Sequence, residues 1–240
     1  MLPFVEYWSK IFNFNETFMH QLRERDAFCN FTSYYEKYFT FPPPPGPFPL
    51  LPDPFTNASS KCDQLDTVYA AAMDQNPCFN IYHVVDTCPF TWNHLGIVNT
   101  GDYNPPGNVV YFNRSDVQSA INAPVGTNWS QCTDIDVFSG KGNTKGDRSL
   151  GPAVDGTLQR VIEHTNNVQI GSGNLDFLLA TNGTLLVLQN LTWNGGQGFS
   201  KYPNQPFYVP YHPEYNQGRL SEAGYVGHWV KERGLTFYYV

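Results

Sequence analysis

The sequence predicts an α/β fold in which a helical, disulfide-bonded region precedes a parallel sheet flanked by helices. Three observations support this prediction. Residues 1–40 are aromatic and helical in pattern, residues 60–90 hold three of the five cysteines, and from about residue 107 strand-like and helix-like segments alternate. Strands that alternate with helices are typical of a sheet with parallel strands.

The first 40 residues carry apolar side chains at the spacing of a helix face. The residues of this face are Phe12, Phe14, Phe18 and Leu22. We expect them to pack in the core. The proline-rich stretch 41–49 predicts a stiff polyproline II connection on the surface, with an SH3-type ligand as the alternative. A short helix is predicted over residues 66–73.

The second half of the chain is predicted segment by segment from its apolar pattern. Strands are predicted at 109–112, 168–173 and 235–240, a helix over 154–162, a turn at 193–196 and a loop at 200–216. Residues 182–191 are apolar enough to form either a helix or a strand. Ser115 and Gln118 have the spacing of a capping box, which predicts a helix with Ser115 as its N-cap.

Composition excludes several classes of partner. The chain has 240 residues, a formal net charge of −7 and only 15% charged residues. A large basic surface is incompatible with this balance, so we expect neither nucleic acid nor an anionic membrane as partner. No run of 18 apolar residues exists, and we therefore expect no transmembrane helix.

Two features favour the secretory pathway. Seven N-x-S/T sequons occur where chance gives about three. The sequon residues are Asn15, Asn30, Asn57, Asn113, Asn128, Asn182 and Asn190. The five cysteines are an odd number, and residues 1–8 do not have the pattern of a signal peptide. We therefore expect a secreted or vacuolar glycoprotein of which an upstream segment is missing from this sequence.

The cysteines are predicted to form disulfides and not a zinc site. They are Cys29, Cys62, Cys78, Cys88 and Cys132, with neither a C-x₂-C pair nor a His-x₃₋₅-His pair among them. If Cys132 pairs outside the chain, the other four allow three connectivities. Of these we favour Cys29–Cys62 with Cys78–Cys88.

One acidic residue lies where parallel sheets place their functional groups. Asp176 follows the predicted strand 168–173 in a turn, and function gathers beyond the carboxyl ends of parallel strands. An aspartate there can orient a catalytic histidine by accepting its Nδ1–H. The alternative is that Asp176 caps the following helix or satisfies turn amides.

Other catalytic signatures are absent from the 240 residues. No serine fits the nucleophile elbow G-x-S-x-G, Ser172 between two glycines included, and neither a G-x-G-x-x-G loop nor a P-loop is present. Disulfide formation accounts for the cysteines better than nucleophilic catalysis does. The six histidines are interpreted as structural or solvated. No metal or organic cofactor is expected.

Several segments, in family order, resemble the serine carboxypeptidases, which are secreted or vacuolar α/β-hydrolases. In the second half these are Tyr111–Ile121, Trp129–Cys132, Ile170–Asp176 and Glu232–Phe237. In the first half, Phe41–Pro44 and Asn76–Tyr82 resemble the cap insertion of the family, and Asn182–Gly195 resembles a fungal branch.

The resemblance implies an incomplete α/β-hydrolase fold. Residues 1–106 would form the cap insertion and residues 107–240 the carboxyl-terminal part of the hydrolase core. Asp176 matches the aspartate of a Ser-Asp-His triad, although Asn174 stands where the family usually has Asp. The nucleophile elbow would precede Met1 and the catalytic histidine would follow Val240. Cys132 matches a cysteine that bridges to the missing amino-terminal segment.

Three functions are compatible with this resemblance. The chain can be part of an enzyme that releases C-terminal amino acids from peptides, inactive as an isolated fragment because it holds one triad member of three. It can be a catalytically dead secreted glycoprotein that binds peptides or sugars through its aromatic loops. The parent can also be an acyltransferase on the same fold, because fold and triad do not fix the acceptor.

Overall fold

Four helices occupy the first 40 residues of the computed structural model, as the sequence predicts. The structure describes residues 1–49, 51, 62–88, 110–129, 151–211 and 223–240. The helices are α1 (Leu2–Tyr7), α2 (Ser9–Phe12), α3 (Glu16–Cys29) and α4 (Phe31–Tyr38). Trp8 separates α1 from α2, and asparagines mark the next two boundaries. Asn13 and Asn30 adopt the left-handed conformation that this residue tolerates, and the side chain of Asn15 caps α3 by accepting from the Phe18 amide.

The first core cluster is built from these helices and from α5 (Leu65–Gln75). Phe12 and Leu22 are buried in it, whereas Phe14 and Phe18 are partly buried and pack against it. The predicted apolar face of the first 40 residues is therefore confirmed. Val68 and Ala72 add the inner face of α5.

Two disulfides close the helical region. Cys29 at the end of α3 bonds to Cys62, and Cys78 bonds to Cys88 in the segment that follows α5. These are the two pairs favoured from the sequence. Cys132 and the sequon residue Asn57 lie outside the described residues.

The proline-rich connection lies on the surface and is fastened to the second half of the chain. Gly46 donates its amide to the Gln197 side chain and accepts a bond back from it, both at 2.8 Å. The Phe48 amide donates to Asn190 Oδ1 at 2.7 Å. The sequence favoured a stiff surface connection, and these bonds show in addition that the connection is docked on the second half of the chain.

Residues 110–129 correct two sequence predictions. Tyr111–Asn113 form a 3₁₀-helix where a strand was expected over 109–112, of which residue 109 lies outside the described part. Helix α6 (Ser115–Ala120) has Arg114 as its N-cap, so Ser115 does not cap it. The Gln118 side chain is buried and bonds three backbone groups instead of reaching back to the helix start. These bonds go to Phe112 O, Thr127 O and Gly126 N.

The main sheet has four strands in the order β1-β6-β5-β4. The strands are β1 (Val168–Ser172), β4 (Gln205–Val209), β5 (Gly224–Glu232) and β6 (Leu235–Tyr239); β2 (Thr192–Trp193) and β3 (Gly196–Gln197) form a separate hairpin. Of the three strand pairings in this described sheet, β1 with β6 is parallel and the other two are antiparallel, so the expectation of a parallel sheet is corrected to a mixed one. The reason is the two-residue connection Arg233-Gly234, which forces β5 and β6 to be antiparallel.

Strand β4 lies inside the segment that the sequence predicts as a loop. Pro206 obscured it, because proline cannot donate to a ladder and is therefore rare in strands. The strand tolerates Pro206 since it is the outer strand of the described sheet and pairs with β5 alone. Strand β5 has no counterpart among the sequence predictions.

Helices α7 (Thr157–Thr165) and α8 (Thr181–Asn190) pack with the sheet in a second core cluster. This settles residues 182–191 as helical, and places the predicted helix over 154–162 slightly further along the chain. The fully buried members of the cluster are Ile162, Leu185, Trp193, Phe199, Leu235 and Phe237. Among the described helices, none has the length and apolar character needed to cross a bilayer.

Candidate active site

Asp176 lies in a turn at the carboxyl end of β1, next to the end of β6. The Asn174 amide donates to Val240 O at 2.7 Å, and the Val240 amide donates to Ser172 O at 3.1 Å. The Asp176 amide donates to Gly173 O at 3.2 Å and closes the turn. A segment that continues β6 beyond residue 240 would therefore start beside the Asp176 turn.

The carboxylate of Asp176 has one engaged and one open oxygen. Oδ1 accepts from the Leu179 amide at 2.8 Å, whereas no described residue forms a hydrogen bond with Oδ2. The side chain is half-buried. Oδ1 of Asp176 thus satisfies a turn amide, as the alternative interpretation expected, and Oδ2 remains able to accept a hydrogen bond from a further donor.

The residues on either side of Asp176 anchor the turn in the first core cluster. Leu175 packs against this cluster, and Phe177 is 1% exposed within it. The Phe177 ring lies 5.5 Å from the ring of Phe4 and 5.7 Å from that of Phe12. Asp176 is therefore the polar residue between a partly buried leucine and a buried phenylalanine, and its backbone has little freedom.

Helix α8 begins against the same turn. Its first residue, Thr181, is 5% exposed, and its hydroxyl lies 2.9 Å from Ser172 Oγ and donates to Gly173 O at 3.3 Å. Ser172, the serine between two glycines, thus has a structural partner. The arrangement joins β1, the Asp176 turn and α8 into one unit.

Two cavities flank the turn. The first, about 500 Å³, is largely apolar and includes Phe4, Phe31, Leu178 and Leu186 in its wall. The second, about 490 Å³, is aromatic and is bordered by Asn174 and Val240. Its rings belong to Phe4, Tyr7, Trp8, Tyr35, Tyr202, Tyr225, His228 and Tyr239.

Tyr35 and Asn182 line both cavities. Asn182 Nδ2 donates to the Tyr35 hydroxyl at 3.0 Å. Burial raises the pKa of Tyr35 to about 12, with a smaller rise from Tyr202 opposed by the bond to Asn182. Burial, followed by the hydrogen bond with Tyr202, also raises the pKa of Tyr239. Both phenols therefore stay protonated and neutral at physiological pH.

Among the residues that the structure describes, no histidine forms a hydrogen bond with Asp176. His83 Nδ1 lies 2.6 Å from Asp86 Oδ1, and the His228 ring stacks on Tyr239 and bonds the Tyr225 hydroxyl. His94 and His212 lie outside the described residues. The structural interpretation of His83 and His228 agrees with these contacts.

Sequence reasoning located Asp176 but missed its surroundings. In the sequence Asn182 is recognisable only as part of a sequon, and nothing there indicates that it lines the cavities. The segment 79–84 contacts the Asp176 turn from nearly one hundred residues away, and no spacing rule connects the two. An unusual concentration of tyrosine, 15 residues, was the one visible sign of the aromatic cavity.

Comparison with known proteins gives consistent results along the chain. The profile of the serine carboxypeptidase family matches residues 11–240. A probable serine carboxypeptidase of Arthroderma benhamiae is 41% identical over 237 residues, which cover 98% of this chain and 42% of the relative. Serine-type carboxypeptidase F of Aspergillus niger is 39% identical over 254 residues, covering 99% of this chain and 46% of the relative.

One more relative and one solved structure are also similar to the chain. A carboxypeptidase Y homolog of Arthroderma benhamiae is 38% identical over 236 residues, covering 98% of this chain and 43% of the relative. The crystal structure of Kex1(delta)p, a prohormone-processing carboxypeptidase from Saccharomyces cerevisiae, aligns with 100% of this chain and 45% of its own at 15% identity and a TM-score of 0.48. The chain spans less than half the length of these relatives. The chain belongs to the serine carboxypeptidase family.

Proposed function

We propose that the protein containing this chain is a serine-type carboxypeptidase that releases amino acids from the C-termini of peptides, and that Asp176 is the aspartate of its triad. The observation that carries the proposal is the position of Asp176. It follows the carboxyl end of β1, and its turn is hydrogen-bonded to the end of the parallel strand β6. Family membership supplies the reaction class.

The chemistry needs an aspartate of this kind. A serine attacks the scissile carbonyl while a histidine takes its proton, and the aspartate accepts the histidine Nδ1–H and stabilises the imidazolium that forms. Asp176 suits this role because the Leu179 amide fixes one oxygen and leaves the other open. The neighbours Leu175, partly buried, and Phe177, buried, both pack in the first core cluster and keep the carboxylate in place.

The serine and the histidine of the triad are proposed to come from sequence outside these 240 residues. The chain contains no G-x-S-x-G, and it spans less than half of the relatives it matches. Residues 1–106 would then act as the cap and residues 107–240 as part of the hydrolase core. By itself the chain would not hydrolyse peptides, since nothing in it would be acylated.

Secretion and a further disulfide complete the proposal. Two disulfides among the described residues and seven sequons in the sequence support a secreted or vacuolar glycoprotein. Cys132 is proposed to pair with a cysteine of an upstream segment. Peptide or protein C-termini are the proposed substrates.

The proposal is tested by replacing Asp176 in the intact protein. Asp176→Asn keeps the size of the side chain and removes its charge, so kcat on a blocked dipeptide should fall by about 10,000-fold with little change in KM. Asp116→Asn is the control, because Asp116 is an exposed carboxylate paired with Arg114 in α6. Release of free C-terminal amino acids is followed by chromatography. An Asp176→Asn enzyme with the kcat of the parent would refute the assignment.

A further inference from the structure

The loop closed by the Cys78–Cys88 disulfide holds the backbone on both sides of Asp176. We propose that this loop is a positioning element for the Asp176 carboxylate, and that catalysis depends on the disulfide and the polar network that order it. The inference rests on the proposed function, because it assumes that Asp176 serves a triad.

Two backbone hydrogen bonds join the loop to the turn. The Phe177 amide donates to Ile81 O at 2.9 Å, and the Val84 amide donates to Leu175 O at 3.1 Å. One bond therefore fixes the residue before Asp176 and the other fixes the residue after it. With the Asp176 amide bonded to Gly173 O, three successive residues of the turn have their main chain tied down.

Side chains of the loop and of the turn pack together at the same place. Phe79 and Val84 are 3% and 1% exposed, and both belong to the core cluster that contains Phe177. The rings of Phe79 and Phe177 meet edge-on, with centroids 6.3 Å apart. A shift of the loop would therefore move Phe177, which is covalently next to Asp176.

The loop is ordered by polar contacts centred on Asp86. Its Oδ1 lies 2.6 Å from His83 Nδ1, its Oδ2 accepts from Asn80 Nδ2 at 2.7 Å, and its carbonyl accepts from Asn76 Nδ2 at 2.8 Å. The Asn76 side chain also accepts from the Cys78 amide at 3.0 Å. The His83 and Asp86 side chains are 49% and 39% exposed, so this network adds little to the core. Its effect is to hold the shape of the loop.

Small errors in the position of a catalytic group lower the reaction rate strongly. Misplacement by about 1 Å can lower a rate by about 100-fold, even when the change lies far from the reacting atoms. The Leu179 amide restrains only Oδ1 of Asp176, and the loop supplies the restraint on the neighbouring main chain. Loosening the loop should therefore lower kcat strongly while it changes the free energy of unfolding only slightly.

The two disulfides provide a matched pair of variants in the intact protein. Cys29–Cys62 joins residues 33 apart and Cys78–Cys88 joins residues 10 apart. Since stabilisation by a disulfide grows with the length of the loop it closes, the double variant Cys29→Ser/Cys62→Ser should lose more thermal stability. If the inference is right, the double variant Cys78→Ser/Cys88→Ser should nevertheless lose more kcat, by about 10- to 100-fold, with KM within about twofold of the parent.

A second variant keeps the test decisive if the cysteine variants fail to fold. Asp86→Ala leaves both disulfides in place and removes the His83 and Asn80 contacts. It should lower kcat by about 10-fold and speed amide exchange at Phe177 and Val84, whereas the control Asp116→Ala should change neither. Parental kcat in Asp86→Ala together with unchanged exchange at these amides would overturn the inference.

Comparison with Asp176→Asn separates the two proposals. If Asp176→Asn is inactive while both loop variants retain the parental kcat, the positioning role is wrong and the triad assignment stands. If Asp176→Asn retains the parental kcat, the triad assignment fails and the positioning role fails with it. Loss of kcat in Asp176→Asn and in the loop variants, with KM preserved, supports both.

Discussion

The sequon asparagines that the structure describes differ in how their side-chain nitrogen is used. N-linked glycans attach to Nδ2, and in Asn182 this atom donates to the Tyr35 hydroxyl in a half-buried position between two cavities. Asn15, Asn113 and Asn190 are exposed, and toward the described residues each bonds through Oδ1, as an acceptor of a backbone amide. A glycan fits at these three sites without breaking a bond, but at Asn182 it would displace the Tyr35 contact.

We therefore expect glycans at Asn15, Asn113 and Asn190 and none at Asn182. The measurement is mass spectrometry of tryptic peptides after enzymatic deglycosylation in heavy-oxygen water, which marks each formerly occupied asparagine. Asn15, Asn113 and Asn190 serve as internal controls for efficient glycosylation. Full occupancy at Asn182 would contradict this expectation, because it would show that the Asn182 side chain faces solvent and does not bond Tyr35.

Gln189 is a buried amide whose removal should destabilise the fold. It is 0% exposed; Nε2 donates to Thr40 O at 2.6 Å and to Phe199 O at 3.2 Å, and Oε1 accepts from the Phe199 amide at 2.7 Å. Gln189→Leu has a similar size but leaves these backbone groups unpaired, so the free energy of unfolding should fall by about 3 kcal/mol. Gln159→Leu on α7, whose side chain bonds only Glu163, should change it by less than about 0.5 kcal/mol. Equal melting temperatures for the two variants would contradict this account.

Two hairpin turns of the same kind differ in what surrounds their glycines. Asn194-Gly195 joins β2 to β3, Arg233-Gly234 joins β5 to β6, and all four residues have positive φ. This is the pattern of the type I′ turn, in which glycine is strongly favoured at the second position. A Cβ on Gly195 would meet nothing within 4 Å. A Cβ on Gly234 would lie 2.8 Å from the Cα atom of Asn166 and would collide with it.

Gly234→Ala should therefore be more destabilising than Gly195→Ala. Gly195→Ala has only the conformational cost of positive φ, about 1 kcal/mol. Gly234→Ala adds a collision with backbone and should cost at least about 2 kcal/mol, because β6 must shift away from Asn166. Denaturant titration of the intact variants measures both. A smaller loss for Gly234→Ala would mean that the β5–β6 turn is not held against α7 as the structure has it.

Among the helices and strands, the sequence predicted those with a clear periodicity of apolar residues and missed those without one. Strand 168–173 was placed to within one residue, because Val168 and Ile170 face the core and alternate with polar or small residues. Residues 182–191 could not be assigned, since a run of leucines and valine is compatible with a helix or a strand. Strand β4 was missed because Pro206 suggested a loop, and the parallel sheet was predicted in place of a mixed one because Arg233-Gly234 was not recognised as a hairpin turn.

In the molecule as a whole, the Asp176 turn is where the two core clusters meet. Phe177 packs among the helices of the first cluster, while β1 and α8 on either side of the turn belong to the second. Family resemblance in the sequence identified Asp176. It did not reveal the loop 79–84 that contacts the turn, because contacts between segments so far apart arise from tertiary packing and leave no local pattern.

The account as a whole depends on Asp176 facing a histidine in the intact protein. The most direct measurement is an experimental structure of that protein in which side chains are visible. We expect an oxygen of Asp176 at about 2.6–3.2 Å from the Nδ1 atom of a histidine next to the end of β6, with the Leu179 amide still bound to Oδ1. A catalytic histidine oriented by another carboxylate, with Asp176 bonded only within its own turn, would contradict the account.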